Sequence, residues 1–182
     1  MSWKTLNSSV VFENPWMRVY DDDVENPRGG FNRYGWVHFK NRAIAIVPID
    51  SDGNTWLVGQ DRYTLGKYSW ELPMGGGALN EPPLAAAQRE LAEETGLVAN
   101  DWRELMHVAI SNSITDERGI VFVARDLTAG TAAPDETEKL AVRQLPFSEA
   151  VKMVLNGDID DALTATALLR VAIETSASIP RT

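Results

Sequence analysis

The stretch from Gly75 to Leu97 constrains this chain more than any other. It holds three consecutive glycines, the pair Pro82-Pro83, a helix-forming run from Leu84 to Thr95, and Gly96 where a helix C-terminus favours a residue able to take positive φ. One helix of about a dozen residues fits that punctuation. At about 100° per residue, Leu84, Ala87, Leu91 and Thr95 fall on one stripe suited to a core, while Glu90 and Glu94 lie about 40° apart and Glu93 within about 100° of both. The helix is expected to face a core on one side and to present clustered carboxylates on another. Like charges at i, i+4 repel, so the cluster needs a partner, and hard carboxylate oxygens suit a divalent cation such as Mg²⁺, which in turn recruits phosphate oxygens. A bare Glu-x-x-Glu-Glu is most often a solvated face, so the surrounding spacing has to decide.

The rest of the chain reads as strands and further helices around one core. Val10 to Val24, broken at Asn14-Pro15 and closed by Glu25 to Gly30, reads as short strands, and Phe31 to Lys40 alternates with a period of two. Ala43 to Ile49 is a nearly continuous apolar run, and the turn residues Asp52-Gly53 predict a hairpin to the β-prone residues Thr55 to Gln60. Ile120 to Ala124 reads as a strand and Gly130 to Lys139 as a surface loop. Phe147, Ala150, Val151, Val154 and Leu155 have the spacing of an amphipathic helix stopped by Gly157, and a last helix is expected over roughly Asp161 to Thr175. The 182 residues suit one α+β domain, with residues 1–40 a β-rich extension and 41–182 the main body.

Composition removes several classes. Lys and Arg number 17 against 26 Asp and Glu, a net charge of −9, and such a field repels nucleic acid and anionic membranes. No cysteine is present, which excludes disulfide scaffolds, thiolate zinc sites and cysteine nucleophiles. No apolar leader or membrane-length run occurs, so a cytoplasmic location is expected. No G-x-S-x-G or P-loop pattern is found, and His38 and His107 fit no zinc-protease pattern and read as structural or surface residues.

Residues 75–97 match G-x5-E-x7-R-E-U-x-E-E-x-G-U at every fixed position, with U aliphatic: Gly75, Glu81, Arg89, Glu90, Leu91, Glu93, Glu94, Gly96 and Leu97. On these residues the chain closely resembles a Nudix hydrolase. The resemblance implies an α/β/α sandwich with a mixed sheet, and Mg²⁺-dependent hydrolysis of a nucleoside diphosphate linked to another moiety, with Mn²⁺ as a substitute metal. It implies that Glu90, Glu93 and Glu94 supply metal carboxylates, with Glu90 and Glu94 foremost as direct ligands and Met74 adding its backbone carbonyl. Glu93 and Arg89 then belong to the catalytic set, Glu81 and Arg89 brace the cluster, and Gly75 and Gly76 let the backbone approach metal and phosphate.

Beyond that segment, Gln60-Asp-Arg62-Tyr63, Trp70-Glu-Leu-Pro73 and Asn156 to Asp161 are similar to the ADP-ribose pyrophosphatase branch. There the match of Arg62 implies a contact to the substrate's phosphates or ribose. Glu136-Thr-Glu138 matches an acidic stretch that implies a base and a further metal ligand, Glu136 preferred as base and Glu138 as ligand. The branch also implies a homodimer formed through the extension, whose Trp3, Trp16, Tyr20, Tyr34 and Trp36 offer aromatic area. This branch makes ADP-ribose the first substrate expected; one departure, the lack of a proline from Ala109 to Glu117 where many ADP-ribose enzymes carry one, makes GDP-mannose or another nucleotide sugar the alternative. A nucleoside triphosphate pyrophosphatase and a non-catalytic nucleotide sensor are the remaining readings.

Overall fold

The computed structural model describes residues 2–131 and 140–176. The first three strands, β1 (Lys4–Glu13), β2 (Met17–Glu25) and β3 (Phe31–Phe39), form an antiparallel sheet of their own in the order β1-β2-β3. The break expected at Asn14-Pro15 is a tight link in which the Asn14 side chain accepts the N–H groups of Trp16 and Met17 (2.9 and 2.8 Å). β1 is exposed along its whole length, and Val24 and Asp22 of β2 are the buried residues of this sheet.

The main body is built on β4 (Asn41–Pro48). It lies between β7 (Met74–Ala78), to which it is antiparallel, and β9 (Arg118–Ala129), to which it is parallel, and β8 (Leu97–Ala109) pairs with the far edge of β9. A second small sheet runs β10 (Ala141–Pro146), β5 (Asn54–Arg62), β6 (Lys67–Glu71). The apolar run of β4 is explained by layers on both its faces. Ala45 and Val47 point into a core shared with Leu57, α2 (Phe147–Asn156) and α3 (Ala162–Ser176), whereas Ile44 and Ile46 point into a core shared with α1 (Pro83–Thr95). A strand buried on both faces loses the polar alternation of a half-exposed one. Helices thus cover both faces of a mixed sheet, which is the α+β sandwich expected.

The turn Asp50 to Asn54 forms with Gly53 at φ 81°, but the hairpin does not. Both edges of β4 are already occupied, by β7 and β9, so β5 finds no free edge there and pairs with β6 and β10 instead. Helix α1 starts at Pro83 and ends at Gly96 (φ 71°), whose N–H reaches the Ala92 carbonyl, and α2 ends in the same way at Gly157. Among the described residues, no helix is long and apolar enough to cross a membrane.

Candidate active site

The glycine run forms strand β7, and its purpose is steric. It pairs with β4 from Ala78 opposite Asn41 to Met74 opposite Ala45, and α1 lies against the face that lacks side chains. A Cβ at Gly75 would stand 2.2 to 2.4 Å from the carboxyl atoms of Glu90, and one at Gly77 would meet Ile44 at 2.9 Å and Ala86 at 3.1 Å. A side chain enters either space only if these neighbours shift. Gly76 lies under the Asn41 amide, with only 2.6 Å between Nδ2 and a Cβ placed there.

This close approach changes which face of α1 is inside. Leu84, expected in the core stripe, is exposed, whereas Glu90 and Glu94 go in with Ala86, Ala87 and Leu91, at 8% and 5% exposure. The carboxylates do not occupy a separate solvent face because the glycine strand leaves room for them beside the sheet. The Met74 N–H donates to Glu94 Oε2 (2.9 Å), which ties the start of β7 to the end of α1. Arg89 gathers the remaining carboxylates: Nη1 donates to Glu90 Oε1 (2.7 Å) and Glu93 Oε2 (2.9 Å), while Nη2 donates to the Gly76 carbonyl (3.0 Å) and lies 3.5 Å from Glu81. Burial works against the Arg89 charge, but Glu90 first, then bonds to Glu81 and Glu93, outweigh it and raise its pKa above the ordinary value.

Arg62, at the end of β5, meets the buried carboxylate of Glu71 on β6: Nε donates to Oε1 and Oε2 (3.0 and 3.2 Å), and Nη2 donates to Oε2. The hydrogen bond to Glu71 raises the Arg62 pKa against the opposing effect of burial, with Asp161 and Glu94 contributing at longer range. One site therefore brings together Met74, Gly75, Gly76, Arg89, Glu90, Glu93 and Glu94, with Arg62 in the electrostatic reach of Glu94. Glu136 and Glu138 lie outside the described residues. His38 and His107 stand apart in surface pairs, His38 Nδ1 at 2.5 Å from Asp116 Oδ2 and His107 Nε2 at 2.9 Å from Glu104 Oε1. In the sequence Glu71 stands only within Trp70-Glu-Leu-Pro73 and carries no mark of a site residue of its own. The available signal was a carboxylate in step with Ser69 on the buried side of a short strand.

Among the described residues, no three acidic or imidazole side chains converge into a closed cation cage. The donor set still fits Mg²⁺. That ion keeps several waters and typically takes one or two protein carboxylates together with substrate phosphates. Glu90 and Glu94 are hard anionic donors one helical turn apart and largely out of water, the Glu90 carboxyl in the space that a Cβ at Gly75 would fill and Glu94 held by the Met74 N–H.

A concavity of about 330 Å³ lies between the β1–β3 sheet and the β8–β9 loop, lined by Trp3, Asp22, Tyr34, Trp36 and residues 112–116. The loop is fastened to β3: Val37 N–H donates to the Ile114 carbonyl (2.9 Å), Phe39 N–H to Asp116 Oδ1 (3.0 Å), and the Tyr34 hydroxyl to the Ser113 carbonyl (2.5 Å). Within it, Asp22 is buried and accepts from Trp36 Nε1 (2.8 Å) and the Ser8 hydroxyl (2.6 Å).

Comparison with known proteins gives a consistent picture. The NUDIX domain family matches residues 39–166, and the nucleoside diphosphate sugar hydrolase N-terminal domain matches residues 3–37. The chain is 33% identical to an ADP-ribose pyrophosphatase of Mycobacterium tuberculosis (strain ATCC 25618 / H37Rv), over 98% of this chain and 88% of that protein. It is 30% identical to the ADP compounds hydrolase NudE of Escherichia coli (strain K12), over 91% of this chain and 89% of the other. A crystal structure of an ADP compounds hydrolase superposes with a TM-score of 0.86 at 25% identity, covering 98% of both chains.

Proposed function

Since this chain belongs to the Nudix hydrolases and is a Nudix pyrophosphohydrolase, we propose that it cleaves the diphosphate of a nucleoside diphosphate sugar, ADP-ribose first, into a nucleoside monophosphate and a sugar phosphate. The observation that carries this reading is the pair of buried carboxylates, Glu90 and Glu94, set against a strand that glycine keeps clear. In a chain of net charge −9, an anionic diphosphate needs a cation to be held beside them.

In this reading Glu90, Glu94 and the Met74 carbonyl hold Mg²⁺, or Mn²⁺ in its place, with Glu138 as a further ligand. The bound ion supplies neutralisation of diphosphate charge and a template for the leaving phosphate. Arg89, fixed by Glu81 and by the Gly76 carbonyl, keeps Glu90 and Glu93 oriented. Glu136 accepts a proton from the attacking water. Gly75 and Gly76 admit the phosphate chain to the backbone, and Arg62 offers it N–H donors. The aromatic concavity beside residues 112–116 is suited to a base, since flat rings stack on Trp and Tyr, and its volume lies within the usual range for small-ligand sites. The names of the relatives favour ADP compounds, while the absence of a proline from Ala109 to Glu117 keeps GDP-mannose the second substrate to try.

A panel of nucleoside diphosphate sugars and nucleoside triphosphates with Mg²⁺, followed by identification of the products, tests this reading. Nucleoside monophosphate and sugar phosphate are expected from at least one nucleotide sugar. Release of inorganic pyrophosphate from triphosphates, with no nucleotide sugar cleaved, overturns the substrate class and leaves the family assignment intact.

Residues 1–40 are in this reading a dimerisation element. Leu6, Val10, Phe12 and Phe31 stand exposed on their sheet and Trp3 and Trp16 beside it, an aromatic and aliphatic surface of the kind that interfaces bury. Light scattering at micromolar concentration is expected to give twice the 20.1 kDa of one chain. A monomer mass removes the dimer.

A further inference from the structure

Glu71 is 3% exposed, and a carboxylate taken so far out of water requires a cation with good geometry. Arg62 meets it side-on. Its Nε and Nη2 are committed to the two Glu71 oxygens, and among the described residues no hydrogen bond engages Nη1. The guanidinium is planar, so clamping one edge fixes where the other edge points. About a third of the Arg62 side chain remains open to solvent.

Glu71 is itself held from several directions. It pairs across the sheet with Val58, and the next residue, Leu72, donates its N–H to the buried hydroxyl of Thr164 (3.1 Å) on α3. The Thr164 N–H is in turn capped by Asp161 (2.7 Å). Three positions after Glu71, the Met74 N–H binds Glu94. The short segment Glu71 to Met74 therefore grips Arg62 through a side chain and Glu94 through the backbone. After Glu71, the carboxylates that act on the Arg62 charge are Asp161 and Glu94, at longer range, and the geometric link to Glu94 runs through this segment.

From this geometry we propose that Glu71 is a positioning residue for the hydrolysis: it clamps the Nε/Nη2 edge of Arg62 and presents the remaining edge to the substrate's diphosphate next to Glu94. The inference rests on the reading of Arg62 as a ligand for the phosphates or ribose. Glu71 itself touches no reacting atom. Its effect passes through Arg62, so it belongs to substrate binding more than to the chemical step.

Steady-state kinetics on the full-length protein with saturating Mg²⁺ separate the possibilities, using ADP-ribose or the best nucleotide sugar of the panel above. Glu71→Gln keeps the side chain's shape but loses the ionic clamp, and it is expected to raise KM about tenfold or more while kcat stays within about threefold. Arg62→Gln is expected to raise KM by at least as much, and in that background Glu71→Gln adds less than about twofold, because the two residues act as one unit. Where Glu71→Gln does not fold, Glu71→Asp replaces it and is expected to raise KM by a smaller factor in the same pattern. A loss of kcat and thermal stability at unchanged KM, or KM effects that multiply in the double variant, assigns Glu71 a structural role and overturns the proposal. Unchanged KM in Arg62→Gln removes Arg62 as a ligand, and the proposal with it. Raised KM in Arg62→Gln alone, with Glu71→Gln like wild type, removes Glu71 only.

Discussion

Glu94→Gln and Glu90→Gln are each expected to lower kcat at least about a hundredfold, because a neutral amide is a poor substitute for a hard anionic oxygen donor to Mg²⁺. The fold is expected to survive. A glutamine at position 94 keeps a carbonyl oxygen that still accepts the Met74 N–H, the bond that joins β7 to α1. Removing one of two neighbouring buried negative charges also relieves repulsion along the helix. The measurement is kcat across an Mg²⁺ titration, with circular dichroism to verify folding. Near-normal turnover of well-folded Glu94→Gln at saturating Mg²⁺ would sink the metal assignment.

Gly75→Ala is expected to separate activity from stability more sharply. The new methyl would sit 2.2 to 2.4 Å from the Glu90 carboxyl group, so the carboxylate must move. What moves is the far end of a flexible side chain and not backbone, so the stability change is expected to stay within about 1 kcal/mol, or about 4 °C in Tm. Displacement by an ångström or more of a group that fixes the reacting geometry is expected to cost about a hundredfold in kcat. Thermal melts alongside steady-state assays give both readings. A Gly75→Ala protein with wild-type turnover would mean that the position of Glu90 against β7 is not what the reaction uses.

The elements with their own punctuation were legible in the sequence. Pro83 and Gly96 bracket α1, Gly157 ends α2, and the observed boundaries fall within a residue or two of those expected. Pairing was less legible, because which strand takes an edge is a property of the whole sheet. Asp52-Gly53 makes its turn whether or not the flanking strands join, and it carries no sign that β7 and β9 already occupy both sides of β4. The glycines of β7 were readable as permitting close approach but not as a strand, since their pairing comes from β4 and not from propensity. Helical periodicity placed Leu84 in the core and the carboxylates outside it for a related reason. The wheel ranks residues by polarity, whereas here the bare face of β7 gives Glu90 room to enter and the Met74 N–H draws in Glu94. The site's spacing was legible because a fixed pattern of residues carries it. The partnership of Glu71 with Arg62 was not, because it joins neighbouring strands through a bond no local pattern encodes.

The parallel pairing of β4 with β9 has a consequence for how the chain is made. Ile44 lies beside Ile120 and Pro48 beside Ala124, so the central strand cannot complete its sheet until the later segment has left the ribosome. At a synthesis rate of about 5 to 20 residues per second, β4 waits for several seconds with one edge of backbone N–H and C=O groups open. During that interval it can join β7 but not β9, and the nascent chain carries a strand that is apolar on both faces with one edge unpaired. The residues that make the finished sheet its most buried element are thus the ones most exposed to misassociation during synthesis.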